Sequence, residues 1–505
     1  MLELIVFACG AAVMILEMVG ARIVAPYLGS SIVVWTALIG TILASLSVGY
    51  WWGGRIADRK PNGSAFSLIL LLSGVSIALL TLAKAMILDF WNVAALPVQL
   101  GATVLNVALF APSTLCLGMV SPYAVRLKIS SVDQAGATAG RLYAISTVGS
   151  IVGTFVAGFY LIASYGSTAI LLGLCVSLVL LALLASQANR RLKLSLLSVP
   201  VLTFTLSYAY EDHLNQIGFY DLDTSYNRVL VFQSKDDRTD WPTRAMATTP
   251  RYVQSAMYLN DPFKLVLRYT RFFTLAAYWK PQMTRALVLG GGAYSFPRYL
   301  LSRSPQLHMD VVEIDPGVTE IARRFFHLQD LPGLAIHHED ARTFINRPHE
   351  PYDVIFMDVF NSHYSVPFHL TTVETATRLH QLLKEDGLLI MNTISAIEGR
   401  HGRFLRAETA TVRSVFRQVS LFPLFAPTDG KRKQNVILVA TKSDDELPTT
   451  PPDEELAEYL AGRWNGPLEM DVAVLTDDYA PVEVYMAGIE DRKSTRLNSS
   501  HIPLS

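Results

Sequence analysis

The sequence predicts a multi-span α-helical membrane domain, then a small β-rich region, then an α/β doubly wound domain. Two observations carry this prediction. The chain of 505 residues is 51% hydrophobic and only 17% charged, whereas globular proteins carry about 25% charged residues. The apolar residues are concentrated before residue 210, and strand-like and helix-like segments alternate after it, which is the pattern of a parallel sheet.

The overall charge and the cysteines indicate what the protein does not bind. A formal net charge of -1 gives no indication of nucleic-acid binding. The three cysteines, Cys9, Cys116 and Cys175, all lie inside apolar stretches. This placement is typical of small core or lipid-facing residues and not of a disulfide or metal framework. We therefore expect no metal ion and no nucleic-acid partner.

Seven apolar stretches before residue 211 approach the roughly 20 residues that a helix needs to cross a bilayer. The first lacks a basic start and contains Glu17, and further spans follow it, so we interpret it as a true span and not a signal peptide. The chain is therefore expected to be a multi-pass protein of the inner (plasma) membrane, with the lipid bilayer as a partner. The stretches are Leu2–Val24, Ile32–Ile56, Ala65–Ala85, Pro97–Met119, Tyr143–Ala163, Thr168–Ser186 and Leu194–Tyr210.

Basic residues in alternate connections give the expected orientation of these spans. The positive-inside rule places three basic loops, and the N-terminus with them, in the cytoplasm. Seven complete spans would then put the following domain on the opposite side. The last stretch is the shortest and contains Pro200, so we expect it to lie in the interface or to be re-entrant, with the following domain in the cytoplasm. The loop residues are Arg55, Arg59 and Lys60, then Arg126, Lys128 and Arg141, then Arg190, Arg191 and Lys193.

Glu17 is an acidic residue in the middle of the first span. Two interpretations remain open, a hydrogen bond to a neighbouring helix or a place on a substrate pathway through the bundle. Arg22 lies five residues later, about 140° around a helix, so the two side chains are not an obvious pair on one face.

Residues 211–262 are predicted to form the β-rich region and residues 263–490 the doubly wound domain. The runs "SYNRVLVFQ" and "RYVQSAMYL" read as strands separated by a polar insertion, "SKDDRTDWPTR". The run "FKLVLRYTRFFTLAAYW" has helical spacing. Strands then alternate with helices, one of them predicted at Thr371–Leu383. The predicted strands lie in "RALVLGGGAYSFPRYLL", "HMDVVEID", "LAIHHEDARTFI", "YDVIFMDVF" and "GLLIMNT".

Several of these strands end in residues suited to bind a nucleoside. In an open parallel sheet, ligands bind at the carboxyl ends of the strands, where the strand order reverses. Gly290, Gly291 and Gly292 let the backbone approach a ligand closely, and an acid such as Glu313 on the next strand can accept both ribose hydroxyls. The acids expected at this edge of the sheet are Glu313, Asp315, Asp340 and Asp358.

At these residues the chain resembles a known family. The runs "VLGGGAYS", "VVEIDP", "HHEDAR" and "YDVIFMDVF" resemble spermidine synthase, a polyamine aminopropyltransferase with a class I methyltransferase-like, Rossmann-type fold. The segments "SYNRV" and "LTDDYAPVE" are similar to further motifs of this family. The apolar half, with "EMVGARIVAPYLGSS" and "GGRIADR", looks like that of the membrane-fused members.

The resemblance implies a co-substrate and a set of site residues. The co-substrate is S-adenosylmethionine or its decarboxylated form, the acceptor is a small amine or another small molecule, and a homodimer is compatible with the family. Asp358 is implied as the catalytic acid. The residues implied at the nucleoside are Asn227, Gly290, Gly291, Gly292, Glu313, Asp315, Asp340 and Ala341, and those implied at the acceptor are Tyr226, Tyr269 and Asn361.

The chain departs from the family on the acceptor side. The family's Asp-Ser-x-Asp-Pro loop supplies two acids, but here Asn361 takes the second place after Asp358. The family's Tyr-His-Glu becomes Tyr269, Thr270 and Arg271, and "YLNDPFKL" lacks its Gly-x-x-Gln. A diamine needs anionic groups at both ends, so the expected reaction is aminopropyl transfer to an amine other than putrescine.

Two other functions fit the same residues. One is a methyltransferase or lyase that uses S-adenosylmethionine. The other is a nucleoside-sensing regulatory or transport-coupled membrane protein. The last segment, 491–505, contains "DRKSTRLNSSH", which resembles the translation of a sequencing adapter, so we predict that it is not native and carries no function.

Overall fold

A computed structural model describes residues 1–29, 31–93, 98–129, 131, 134–186, 195–249, 252–359, 366–451, 453–469 and 471–486. Asn361 and the segment 491–505 lie outside these residues. The chain divides into two compact units, Met1–Arg228 and the chain from Val229 onward. The first unit thus extends past the predicted boundary at residue 210.

The first unit contains the predicted helical bundle. Six helical segments among the described residues are long and apolar enough to cross a membrane. The seventh predicted stretch overlaps a continuous helix of 19 residues, α8, which packs against α3 and α7 but is not among those six. The helices are α1 (Leu2–Leu28), α2 (Ile32–Arg59), α3 (Gly63–Val93), α4 (Val98–Lys128), α5 (Ala135–Val156), α6 (Ile162–Ser164), α7 (Ser167–Ala185) and α8 (Ser198–Gln216), with a π-helical turn at Ala157–Leu161 between α5 and α6.

Small residues allow α1 and α5 to approach each other closely. A Cβ atom at Gly149 of α5 would lie 2.1 Å from the carbonyl oxygen of Phe7, and one at Gly10 of α1 would lie 2.2 Å from that of Ser146. Membrane helices associate mainly through such van der Waals packing, because the surrounding lipid supplies no hydrophobic drive between them. The contact between α1 and α5 therefore depends on the missing side chain at Gly149.

Arg22, near the end of α1, holds the chain that follows α8. Its guanidinium donates to the carbonyl oxygen of Ile162 at 2.8 Å and also hydrogen-bonds the carbonyl oxygen of Thr224. It pairs with Asp223 at 3.4 Å, and the other carboxylate oxygen of Asp223 accepts from the Ser167 N–H at 2.8 Å. No partner of Arg22 could be predicted from the sequence, because its partners lie about 140 to 200 residues away along the chain.

A second ion pair lies at the same end of the bundle. Arg228 binds both carboxylate oxygens of Asp221, at 2.7 and 2.6 Å, and donates to the Tyr27 hydroxyl at 2.9 Å. At the other end of α1, Glu3 pairs with Arg141 at 3.1 Å and also with Lys128. Both basic residues belong to the second of the predicted basic loops. The segment 221–228 therefore lies at the opposite end of α1 from the basic residues Lys128 and Arg141.

The β-rich region contains four strands. β1 (Tyr220–Asp223) belongs to the first unit, and β2 (Arg228–Lys235) leads into the second. β3 (Pro242–Ala247) pairs antiparallel with β2 and with β4 (Ser255–Tyr258). β3 begins within the segment predicted as a polar insertion, so that part of the prediction was wrong. Two short helices follow, Arg268–Phe273 and Leu275–Trp279, where one helix was predicted.

The second unit is built on a seven-stranded mixed sheet in the order β10-β11-β9-β8-β5-β6-β7, which confirms the predicted doubly wound fold. The strands β5 to β9 are parallel, and β11 is antiparallel to β9 and to β10. The strand order reverses between β5 and β8. The strands are β5 (Arg285–Leu289), β6 (His308–Val312), β7 (Leu334–His337), β8 (Tyr352–Met357), β9 (Leu383–Ser395), β10 (Gln418–Pro423) and β11 (Gln434–Thr441).

Helices cover this sheet and enclose apolar residues of the parallel strands. They lie on both faces because each crossover between parallel strands must leave the plane of the sheet. The helix predicted at Thr371–Leu383 is present as Val373–Leu382, with Thr372 as its N-cap. The helices are Ser295–Arg303, Pro316–Phe325, Ala341–Ile345, Val373–Leu382, Arg403–Arg413, Glu454–Ala461 and Val482–Met486.

The close contact between α1 and α5 can be tested with two alanine variants of α5. We expect Gly149→Ala to destabilise the protein by about 1–3 kcal/mol, the usual scale of overpacking, because the new methyl group overlaps the Phe7 carbonyl oxygen. Gly140→Ala is the matched control, since a Cβ there meets no atom within 4 Å. The measurement is the thermal unfolding midpoint in detergent. Equal midpoints for the two variants would contradict this account of the packing.

Candidate active site

The glycine turn after β5 is shaped by its neighbour, the end of β8. Gly290 has a φ of 96°, a left-handed conformation that favours glycine. A Cβ atom at Gly290 would lie 2.2 Å from the Asp358 carbonyl oxygen. The Gly290 N–H donates to Val312 of β6 at 2.9 Å, and the Asp358 N–H donates to Leu289 of β5 at 2.9 Å. The turn and Asp358 therefore lie side by side where the strand order reverses.

Glu313, at the end of β6, holds the glycine turn. One carboxylate oxygen accepts from the N–H groups of Gly291 and Gly292 at 2.9 and 3.2 Å, and the other accepts from the Asp315 N–H at 3.0 Å. Burial raises the pKa of Glu313, and these three N–H groups oppose the shift. A carboxylate offers about four acceptor positions, so about one position on Glu313 stays open, and its predicted contact with the ribose stays a prediction.

Asp315 and Asp340 both cap helices at the same edge of the sheet. The Asp315 carboxylate accepts from the Gly317 N–H at 2.9 Å and caps Pro316–Phe325. The Asp340 carboxylate accepts from the Thr343 N–H at 3.0 Å and caps Ala341–Ile345. Asp315 is fully buried, whereas the Asp340 side chain is partly exposed. Both acids thus stabilise helix starts, and their predicted contacts with the nucleoside stay predictions.

Asp358 follows β8 directly and is held by side chains from two other elements. The Asn392 side-chain amide donates to its carboxylate at 2.9 Å, and the Tyr269 hydroxyl also hydrogen-bonds it. The same hydroxyl lies 3.3 Å from the Gln254 carbonyl oxygen. Loss of solvent around the carboxyl group raises the pKa of Asp358, and the two hydrogen bonds lower it. The structure thus brings together the predicted catalytic acid and the predicted acceptor residue Tyr269.

Two asparagines that the sequence analysis did not select complete this part of the site. The Asn435 amide donates to the Asn392 side-chain oxygen at 2.9 Å, and Asn392 in turn donates to Asp358. Asn392 is buried near the carboxyl end of β9. Asn435 is the second residue of β11 and pairs with Ile394 of β9. A signal was available, because each is a polar residue next to a strongly apolar strand run.

For the remaining predicted site residues, the structure gives a position but does not test the predicted role. Tyr226 and Asn227 belong to the first unit, in the turn before β2. The Asn227 N–H donates to the Thr224 hydroxyl at 2.9 Å, and Tyr226 is exposed. Their predicted contacts with the co-substrate and the acceptor therefore stay predictions, as does the role of Asn361. Ala341 is buried in the first turn of the helix that Asp340 caps.

The "LTDDYAPVE" motif closes over the helix Val373–Leu382. The Asp477 carboxylate accepts from Arg342 at 2.7 Å and from the Thr372 hydroxyl at 2.6 Å. The Leu475 carbonyl oxygen accepts from the Val373 N–H at 2.8 Å. Since Arg342 lies two residues after Asp340, Asp477 connects this motif to the edge of the sheet that carries Asp340.

Comparison with known proteins gives a family match within the second half of the chain. Residues 270–447 match the sequence family described as the spermine/spermidine synthase domain. The chain is 34% identical over 203 residues to a polyamine aminopropyltransferase of Vibrio vulnificus, an alignment that covers 39% of this chain and 65% of that relative. It is 33% identical over 187 residues to an N-terminal histidine N-methyltransferase of Emericella nidulans, covering 36% of this chain and 32% of that relative.

Both alignments span less than two thirds of the relative's own length. Among solved structures, a probable spermidine synthase from Corynebacterium glutamicum is similar, with 24% identity and a TM-score of 0.39. That comparison covers 54% of this chain and 94% of the other. The region that matches the spermine/spermidine synthase domain, 270–447, contains the glycine turn, Glu313, Asp340 and Asp358.

The glycine turn yields a test of the site. We expect Gly290→Ala to weaken binding of S-adenosylmethionine strongly, because the new methyl group displaces either the turn or Asp358. Gly333→Ala is the matched control. It also places a Cβ at a positive φ, 82°, and 2.3 Å from a carbonyl oxygen, that of Leu307, but it lies before β7, at the opposite edge of the sheet. Titration calorimetry on folded protein should show a loss of affinity in Gly290→Ala alone, and an equal loss in both variants would refute the assignment.

Proposed function

We propose that the chain is a membrane-bound transferase acting on a sulfonium nucleoside, since residues 270–447 match the spermine/spermidine synthase domain. The co-substrate is S-adenosylmethionine or its decarboxylated form, and the group transferred is aminopropyl, passed to an amine other than putrescine. The observation that carries the proposal is the position of Asp358, which lies beside the glycine turn and is oriented by Tyr269 and Asn392.

The chemistry needs little from the protein beyond orientation and one base. The lone pair of a neutral amine attacks the carbon next to the sulfonium, and the carbon–sulfur bond breaks. The sulfur keeps the electron pair and leaves as a neutral thioether in methylthioadenosine. The amine loses one proton, and the Asp358 carboxylate can accept it. Orienting the two reactants and removing this proton are the two contributions expected of such a site.

The surroundings of Asp358 suit this role. Its carboxylate receives two hydrogen bonds from groups that are themselves held by the fold, which fixes its direction. Its pKa is raised by loss of solvent, and a carboxylate with a raised pKa is a stronger base than an exposed one. Asn361 carries no charge in the place of the family's second acid, so a dicationic diamine loses one of its two anionic contacts.

The proposal is tested by the product and by one substitution. We expect purified full-length protein to release methylthioadenosine in the presence of an amine, and Asp358→Asn to lower turnover by at least about two orders of magnitude with nucleoside binding retained. Turnover of the unmodified protein should fall as the pH drops through the raised pKa of Asp358, because protonation removes the base, and this limb should be missing from the residual activity of Asp358→Asn.

A control on the same strand separates this effect from a structural one. Asp353 of β8 lies at the opposite end of the strand, where it accepts from the N–H groups of Thr284 and Arg285, both at 2.9 Å, and pairs with Lys384 at 2.7 Å. Asp353→Asn should lower stability and leave turnover per folded molecule intact. Normal turnover in Asp358→Asn would reduce Asp358 to a residue that only stabilises its loop.

Methyl transfer is the second candidate function. It is favoured by the 33% identity to a relative named as an N-methyltransferase, and the same attack on a different carbon of the sulfonium would produce it. The nucleoside product distinguishes the two reactions. Incubation with S-adenosylmethionine gives S-adenosylhomocysteine for methyl transfer and methylthioadenosine for alkyl-chain transfer or lyase cleavage. If the protein turned over neither S-adenosylmethionine nor its decarboxylated form, this result would instead favour nucleoside sensing.

The proposed activity requires the catalytic domain on the cytoplasmic side, where S-adenosylmethionine is made. The bundle opposes this placement, because the segment 221–228 lies at the opposite end of α1 from the basic residues Lys128 and Arg141. We expect a cytoplasmic reporter fused after Gln216 to be active and an exported reporter at the same position to be inactive. The reverse result would follow the positive-inside rule. It would contradict a catalytic domain that receives S-adenosylmethionine from the cytoplasm.

A further inference from the structure

The carboxyl edge of the large sheet has two halves of different charge. The half formed by the ends of β5, β6 and β7 carries the acids Glu313, Asp315 and Asp340. The other half, beyond Asp358, is formed by the loop 396–402 after β9 and the loop 424–433 between β10 and β11. These two loops are joined, because the N–H groups of Ile397 and Glu398 both donate to the Gly430 carbonyl oxygen, at 2.7 and 2.8 Å.

The joined loops carry four cationic residues, which we call the basic rim: Arg400, Lys431, Arg432 and Lys433. The same two loops carry two acids, Glu398 and the exposed Asp429. The Asp429 carboxylate accepts from the N–H groups of Lys431 and Arg432 at 3.1 and 3.2 Å. Glu398 packs on Gly430, where an added Cβ would lie 2.6 Å from its Cγ. Within the described residues, Arg400, Lys431 and Arg432 make no ion pair.

Contacts connect the basic rim to Asp358 along two routes. On one side, Asn435, two residues after Lys433, is linked through Asn392 to Asp358 by hydrogen bonds of 2.9 Å each. On the other side, the Lys433 ammonium lies 5.7 Å from the centroid of the Tyr252 ring. Tyr252 is two residues before Gln254, whose carbonyl oxygen lies 3.3 Å from the Tyr269 hydroxyl. Lys433 therefore lies on the side of Asp358 that faces away from the glycine turn.

We infer that the basic rim binds a carboxylate carried by one of the two reactants of the transfer. This inference rests on the proposed transferase function and specifies its substrate class. A cationic rim disfavours a diamine, which carries two positive charges, and favours an amine that also carries a carboxylate. A carboxylate can reach the site from two sources, an amino-acid acceptor or the methionine part of S-adenosylmethionine itself.

Matched pairs of ligands separate the two sources, because their members differ by one carboxylate only. Ornithine and putrescine form the acceptor pair, and S-adenosylmethionine and its decarboxylated form are the donor pair. The dissociation constant of each is measured by titration calorimetry with the full-length protein, and the acceptor pair is titrated in the presence of methylthioadenosine. We expect the carboxylate to tighten binding by about fivefold in one pair, the upper end of the range for an exposed charge pair.

Variants then show which residues are responsible. Arg432→Gln and Lys433→Gln should each reduce the preference for the carboxylated member, and their combination should abolish it, with little change in affinity for the uncarboxylated member. Lys264→Gln is the matched control, since the Lys264 ammonium also lies over an aromatic ring, 4.3 Å from the centroid of Trp241. Lys264 lies near the end of β4 that is farther from the glycine turn. It should leave the preference unchanged.

The outcomes distinguish this inference from the proposed function. Equal affinities within both pairs would overturn the inference, as would variants that weaken both members of a pair equally, which is the result expected if the rim only orders its loops. A carboxylate preference that is lost in the variants, without turnover of any donor and acceptor combination, would uphold the inference and refute the transferase. Turnover with putrescine that exceeds turnover with ornithine, with no preference in the donor pair, would refute the inference alone.

Discussion

The catalytic half of the chain depends on the contact between Gly290 and the backbone of Asp358. These residues follow neighbouring parallel strands, β5 and β8, at the point where the strand order reverses. A Cβ atom at Gly290 would collide with the Asp358 carbonyl oxygen at 2.2 Å, so the two strands can pair to their ends only with glycine there. This contact places the glycine turn and the Asp358 carboxylate next to each other through neighbouring strands.

The acids around this contact divide their work between structure and chemistry. Glu313 accepts from three backbone N–H groups, and Asp315 and Asp340 each cap a helix. Their charges are therefore partly compensated by the fold itself, which lets several acids share one edge of a sheet. Asp358 differs, because both of its described partners are side chains, Tyr269 and Asn392. It is the acid at this edge whose environment suits proton transfer.

In the helical unit, the charged residues at one end of the bundle are also paired with each other. Arg22, Asp223, Asp221 and Arg228 compensate one another there and fasten the chain that leaves α8. Charged groups in a membrane bundle are costly unless they are paired or reach water, and pairing is what the structure provides. Elsewhere in the bundle, small residues let α1 and α5 approach each other closely.

The sequence by itself determined the fold class, the division into an apolar and an α/β half, and the acids at the carboxyl ends of β6 and β8. These features depend on local patterns, namely apolar runs, strand and helix periodicity, and the residue at which a buried strand ends. Only the tertiary structure decided that Asp315 and Asp340 cap helices, that Arg22 holds residues 223 and 224, and that Asn392 and Asn435 orient Asp358. Each of these depends on a partner or a geometry that the local pattern does not specify. Asn392 and Asp358 are 34 residues apart and Asn435 and Asn392 are 43 apart, and only the order of strands in the sheet makes them neighbours.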